Sequence, residues 1–453
     1  MSMSMPARPR PPHRPRLKHA RALGGFTGIT VALLLTSLVS VPALILFLGS
    51  AAWADLLVIQ STAGIGAVLV LFGWGVTGPA RVAAMDRTNL PEEFRDSLVI
   101  RAVLVVAAAP VVALTAIVSS RLSPVDAILG SVAYLLPSLG ASWLFIGVGS
   151  ARLMFLFDVA PRIAANLVGL AVAGLTHSVT LYLAIQLVGG VVLVVCSASV
   201  VRKRFGRPDR TSVSRLATTL RYQSSGVLSA IAGSAYTNIP IVFVGAVGGA
   251  RRDEVLFAFR ILRIAITGIT PLTQFLQGWV PRRDSDVVQQ LKRLRIALRL
   301  AAATALVMTL GLASLLPAVS SLVTDGQIFV SFDVSAAIAI AVGAIAASQI
   351  TGLVCLVGLG RERAVAVSTT AGAIAGVALM LAFNAFAAAA GVAWSVAVAE
   401  TVVLVVQCAA LRRAMHSLEQ SAMRAAATPG SRRPVEPLAP ASPGKRDTAS
   451  RVS

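Results

Sequence analysis

Residues 146–152 read IGVGSAR, and residues 357–363 read VGLGRER. Each closes a long apolar run, at about 127–149 and about 334–359. Both are Gly-x-Gly with an arginine at the same distance beyond, and they lie 211 residues apart. A second pair repeats the theme. FGWGVTGPAR (72–81) and LQGWVPRR (276–283) both carry Gly-Trp, then Pro and arginine, 205 residues apart. Two offsets of nearly equal size, each close to half of the apolar region, point to a chain built twice.

Working outward from these runs gives the fold class. The chain has 453 residues, 56% of them hydrophobic and 13% charged, with a mean hydropathy of +0.80. Soluble domains carry about 25% charged residues. A bilayer core takes about 20 apolar residues per helix. Runs of that kind fall at about 25–49, 54–78, 98–119, 127–149, 161–176, 178–201, 223–248, 254–280, 297–318, 334–359, 364–387 and 391–411. The reading is an all-α polytopic membrane protein of about twelve transmembrane helices in two parallel six-helix lobes. The fifth run is short, so it is expected to continue from the stretch before it.

Charge placement sets the expected orientation. With both termini in the cytoplasm, 35 of the 40 Lys/Arg fall in cytoplasmic loops and tails. The outer loops hold only Arg121, Arg251 and Arg252. Basic residues concentrate on the cytoplasmic side of membrane proteins. The net charge of +21 therefore reads as topology, and no nucleic-acid partner is expected. The organisation expected is a disordered basic tail at 1–22, a first lobe at 23–201, a basic linker at 202–222, a second lobe at 223–411 and a second disordered basic tail at 412–453. An even number of helices per lobe makes the repeats parallel, with a cleft between them where transporters place substrates.

Three cysteines and four histidines show no metal-ligand spacing. No G-x-x-x-x-G-K-[ST] is present, and no outer loop holds an acid–base constellation. Neither an enzyme nor a cofactor is expected.

Three stretches resemble polysaccharide flippases of the multidrug/oligosaccharidyl-lipid/polysaccharide exporter superfamily. FLGSAAWADLLVIQSTAGIGAVLVLFGWGVTGPARVA (47–83) resembles their first helix–loop–helix, SWLFIGVGSARLMFLFDVAPR (142–162) their fourth-to-fifth connection, and AYTNIPIVFVGAVGG…VLFAFRILR (235–263) their seventh and eighth helices. ARRDEVLF (250–257) departs from the aromatic usual in that loop. The resemblance spans about 25–411. It implies twelve helices in two lobes, alternating access, and a substrate made of oligosaccharide on a polyprenyl pyrophosphate. It also implies membrane lipids as neighbours and glycan polymerases or glycosyltransferases as partners, in a bacterial inner membrane.

The expected binding residues sit on the eighth run, RILRIAITGITPLTQFLQ (260–277). Arg260, Arg263, Thr267, Thr270, Gln274 and Gln277 recur at steps of three and four, which is one helix face. An arginine at membrane depth costs at least a few kcal/mol, about 3 on insertion scales. Two of them are therefore expected either to snorkel to the outer interface or pair with Asp253 or Glu254, or to meet an anion in a watery cleft. A pyrophosphate suits the planar guanidinium fork. Asn238 and Tyr236 on the seventh run add donors and acceptors for sugar hydroxyls. Glu400, the acid in mid-membrane, is the candidate for a proton or coupling ion. Asp55 is read as interfacial, and Asp158 with Arg162 as a local ion pair one turn apart. Two other readings stay open. A cation-coupled drug antiporter would need acids in the cleft, and a non-transporting scaffold of envelope synthesis would work through its tails.

Overall fold

The computed structural model describes residues 15–75, 77–206, 234, 237–280 and 287–427. Those residues form helices and no strand. In chain order the long elements are α1 (Pro15–Leu48), α2 (Ser50–Leu71), α3 (Leu90–Ser119), α4 (Pro124–Leu135, resuming at Ser142–Gly147), α5 (Ala160–Thr176), α6 (Val179–Phe205), α7 (Thr237–Val247), α8 (Arg252–Trp279), α9 (Val287–Val323) and α10 (Phe332–Ser348). A last helical stretch, Glu362–Ala427, holds two spans, α11 (Glu362–Phe383) and α12 (Ala389–Gln420). These two fold back on each other. A Cβ on Gly372 would meet Val403, one on Gly376 would meet Ala399, and Gly391 lies against Phe383. Four residues back on one limb answer four forward on the other, which is an antiparallel pair.

Eleven spans among the described residues are long and apolar enough to cross a membrane, and α7 is a shorter apolar helix. Each corresponds to one of the twelve runs. The fifth begins at Ala151 and passes through a π-helical turn at Phe155–Val159 into α5, so it is continuous with the stretch before it, as expected. Helix α9 begins ten residues before its apolar run, and helical structure beyond α12 continues to Ala427, past the expected start of the C-terminal tail.

The repeated glycine motifs fold alike. Gly149 has φ 72° and Gly360 has φ 69°, both in the left-handed region that favours glycine. Behind them, Ser150 N–H donates to Phe145 O at 3.0 Å and Arg361 N–H to Leu356 O at 2.9 Å. Both are the 6→1 bond that closes a helix end. The helices they terminate are irregular as well. Helix α4 breaks into a tight 3-10 turn at Leu136–Leu139, where Pro137 lacks an N–H. Helix α10 runs into a π-helical turn at Gln349–Leu356. Of the other motif pair, Pro281 to Arg283 lie outside the described residues.

The cores show how the halves meet. At the end away from the basic segments a single cluster joins both halves, with Ile45, Trp53 and Leu57 of the first packed among Val255, Phe257 and Ala337 of the second. The Trp53 and Phe257 rings lie 5.8 Å apart. At the basic end the core divides. Trp74, Trp143 and Phe145 belong to a cluster of the first half alone, and Leu276, Leu294 and Val354 to one of the second half alone. Among the described residues, the halves therefore share a core at one end and keep separate cores at the other.

Candidate functional site

Within the first half lies a cavity of about 470 Å³, walled by α1, α2, α4, α5 and α6 and reached from the opposite half by Arg260. Its polar wall is made of isolated polar residues on apolar helices. Gln60 Nε2 donates to the Tyr134 hydroxyl at 3.1 Å. Asn166 Nδ2 donates to Ser40 Oγ at 2.5 Å, and Tyr182 donates to Asn166 Oδ1 at 3.4 Å. Arg260 crosses from α8 and donates through Nη2 to Ser37 Oγ on α1, at 2.5 Å. Its Nε–H is buried without a hydrogen-bond partner. Arg162 on α5 supplies a second guanidinium to the lining. Among the described residues, no carboxylate lines this cavity. Guanidiniums, hydroxyls and amides gathered in one concavity have the donors that a polar anion accepts from.

Arg162 pairs with Asp158 at 2.9 Å, the expected one-turn ion pair, yet it also faces the cavity. Asp158 is buried. Close by, Arg101 on α3 is fully buried. Its Nη1 donates to Ser138 O at 2.6 Å and Gly140 O at 2.9 Å, and the guanidinium lies 5.8 Å from the Trp143 ring centroid. Those are the carbonyls freed by the break in α4. Broken helices survive at membrane depth only where such groups find partners. Arg101, read from the sequence as part of the cytoplasmic basic set, is a structural cation of the interior.

The stripe on α8 divides. Arg260 enters the large cavity. Arg263 donates instead to Thr237 O at 3.1 Å and to Asn238 Oδ1 at 2.6 Å, and lines a separate apolar pocket of about 100 Å³. Glu400, buried, lines that same pocket from α12. Thr267 and Thr270 donate to carbonyls of their own helix, Arg263 O at 2.9 Å and Ile266 O at 3.3 Å. Gln277 is exposed. Gln274 lies on α8, and its side chain falls outside what is described, as does Tyr236 altogether. Asn238 also donates to Ser234 O at 2.8 Å, and Ser234 donates to Gly64 O on α2 at 3.3 Å. The α7 segment thus touches the first half.

At the shared-core end, Asp55 is a partner rather than an interfacial bystander. It is buried, forms an ion pair with buried Arg252 of α8, and accepts from Arg121 N–H at 3.0 Å. Arg252 also reaches Ser119 O at 3.5 Å, and Ser50 donates to Asp253 at 3.4 Å. Beside this lock, Arg251 holds Glu254 and Asp333, each at 2.8 Å. These hydrogen bonds raise the Arg251 pKa and keep its charge fixed.

The cavity residues Gln60, Asn166 and Gln186 leave a signal in the sequence: single amides within apolar runs. A search for charges passes over them. Among the described residues, no group of three His, Cys, Asp or Glu is placed to hold a metal ion.

No family model and no curated protein sequence matches this chain. Solved structures do. The lipid II flippase MurJ in an inward closed conformation aligns with a TM-score of 0.66 at 10% identity, over 88% of this chain and 90% of that one. An aspartate-to-asparagine mutant of the Vibrio cholerae MATE transporter VcmN gives 0.54 at 14% identity, over 89% and 99%. A multidrug resistance MATE family transporter of the MOP superfamily, outward-facing, gives 0.51 at 12% identity, over 89% and 96%. At such identities the likeness is one of fold: this chain folds like the flippase and the MATE transporters named here.

Proposed function

We propose that this chain is a flippase that carries a polyprenyl-pyrophosphate-linked oligosaccharide across a bacterial inner membrane by alternating access, for cell-surface polysaccharide synthesis. The observation that carries the reading is Arg260, projected from one half into a cavity of the other half whose described lining holds hydroxyls, amides and a second arginine and no acid. Phosphate oxygens would bind the Arg260 and Arg162 guanidiniums, and sugar hydroxyls the Gln60, Tyr134, Asn166 and Gln186 groups. The isoprenoid tail would stay in lipid. The two lobes are 23–201 and 223–411, and the termini are cytoplasmic. The shared core with its Asp55–Arg252 lock then closes the outer side, leaving the cavity to be loaded from the cytoplasm.

Arg263 and Glu400 share a pocket away from this cavity, so they belong to the energetics of the cycle rather than to the phosphate site. A proton or cation at Glu400 would alter the field felt by Arg263 and its hold on Asn238 beside Gly64. Thr267, Thr270, Gln274, Gln277 and Tyr236 remain secondary contacts for a second stage of the cycle. A drug antiporter of the same fold is disfavoured, because its cationic cargo would meet two arginines and no acid. A scaffold would tolerate loss of Arg260 and depend on the tails. Glycan polymerases and glycosyltransferases are the partners this role implies.

The test is complementation of a strain lacking its own glycan flippase, at matched membrane expression. Export is restored by the intact chain and by one lacking 428–453, and is lost with Arg260→Ala. Full export by Arg260→Ala would overturn the anion site.

A further inference from the structure

We propose that the cleft between α3 and α6 at the basic end binds an anionic glycerophospholipid of the surrounding membrane. This goes beyond the transport reading and does not depend on the cargo. The cleft measures about 310 Å³. One wall is Pro91, Phe94, Arg95 and Leu98. The other is Val195, Ala198, Ser199 and Arg202, with the same one-face spacing of three, one and three. In each stripe the residues toward the membrane interior are apolar and the arginine is near the helix end. The cleft is therefore an apolar trough with a basic mouth. Val195 of the lining is exposed, so the trough opens onto the lipid-facing surface.

The charge at the mouth is positive and held in place. Arg95 gives Nε and Nη2 to Asp96 Oδ1, at 3.2 and 2.9 Å, which fixes its guanidinium and leaves Nη1 for another acceptor. Asp96 is buried and takes no part in the lining. Glu93, on the same turn, is buried and paired with Arg81 at 2.9 Å. Arg202, in the last turn of α6, is exposed, and Lys203 and Arg204 follow it. Among the described residues, no carboxylate lines the cleft. A lipid phosphate between Arg202, Arg95 and the Ser199 hydroxyl would place one acyl chain along Leu98, Ala198 and Val195. Free phosphate satisfies the mouth and leaves the trough bare, so the geometry favours a lipid as the source of the anion.

The experiment reconstitutes the full chain into bilayers of mixed phosphatidylglycerol and phosphatidylcholine. Lipid retained after detergent extraction is then counted by native mass spectrometry. A basic residue at a membrane surface contributes about 1 kcal/mol toward an anionic lipid, roughly a fivefold preference. Arg202→Gln is expected to lower retained phosphatidylglycerol about fivefold. Ala198→Trp, which fills the trough, is expected to lower it as well, with Ala198→Leu in its place if the larger residue fails to fold. Lys203→Gln removes the same charge from outside the cleft and is expected to leave retention unchanged. Equal losses from Arg202→Gln and Lys203→Gln with none from filling the trough would show diffuse surface attraction and overturn the site. So would unchanged retention in every variant, or displacement of the lipid by millimolar inorganic phosphate.

Discussion

Arg260 and Arg263 are one helical turn apart and do different things. Arg260 looks across the interface to Ser37 with a spare Nε–H, whereas Arg263 is spent on Asn238 and Thr237. Under the anion-site reading, substitutions separate them. Arg260→Lys keeps the charge and loses the fork, and transport is expected to fall about tenfold or more, on the scale of one charge-assisted hydrogen bond of about 1.5–3 kcal/mol. Arg162→Gln is expected to weaken cargo binding similarly while leaving Asp158 the harder group to accommodate. Arg263→Lys is expected to change the dependence of transport on ion gradient more than the affinity for cargo. Transport assays in proteoliposomes with set gradients distinguish these outcomes. If Arg263→Lys instead abolished cargo binding and Arg260→Lys did not, the division between the two pockets would fall. Asp55 carries a further prediction. Asp55→Asn leaves the buried Arg252 cation beside a neutral amide with Asp253, at 3.5 Å, as its remaining acid, and breaking a buried pair costs up to about 3–5 kcal/mol. Thermal unfolding in detergent is expected to shift downward markedly, and Arg252→Met with Asp55→Leu is expected to recover most of the loss.

Among the elements, the broken helices are the decisive ones. Helix α4 contains Leu-Pro-Ser-Leu-Gly at membrane depth, and Arg101 supplies what the helix no longer does for Ser138 and Gly140. Arg101→Met preserves much of the volume and strands both carbonyls, a cost on the order of 2–4 kcal/mol. Unfolding is expected to begin in the first half, visible as faster hydrogen exchange in α3 and α4 with α9 to α12 unchanged. The paired turns give a cleaner measurement. At both Gly149 and Gly360 an added Cβ would meet nothing within 4 Å, so substitution is felt by the backbone alone. Gly149→Ala and Gly360→Ala are each expected to cost about 1–2 kcal/mol, the strain of an L-residue in the left-handed region. Asn at either position is expected to cost less. Unequal effects at the two sites would mean that the turns are alike in shape and different in role.

Under the proposed alternating access, the question for the whole molecule is which end opens. The shared core, the Asp55–Arg252 lock and the Trp53–Phe257 contact all lie at one end. Gly245 is packed so closely that a Cβ would lie 2.6 Å from Ser119 O and 2.7 Å from Val58. Both of those neighbours belong to the other half. Gly245→Val is therefore a wedge, expected to push the halves apart at this end and to favour the opposite state of the cycle. Spin labels across that end should show a longer distance, and a label pair at the basic end a shorter one. Unchanged distances at both ends would mean that this contact is not part of a moving interface.

What the amino-acid sequence determined by itself is the class, the count and the doubling. Twelve apolar runs need no tertiary knowledge, because each helix satisfies its own backbone and only its length and polarity decide whether it can span lipid. The matched Gly-x-Gly motifs pointed to the doubling, and they fold as matched turns because a left-handed residue at a helix end favours glycine. What only the tertiary structure decided is which polar groups share a space. On one helix, periodicity placed Arg260 and Arg263 on one face, but the neighbours, α1 in one case and α7 with α12 in the other, assigned them to different cavities. The partnership of Asp55 with Arg252 spans 197 residues, and that of Arg101 with the break in α4 joins two helices. Side chains reach only a few ångströms, so such pairings are fixed by packing between helices, which no local pattern records.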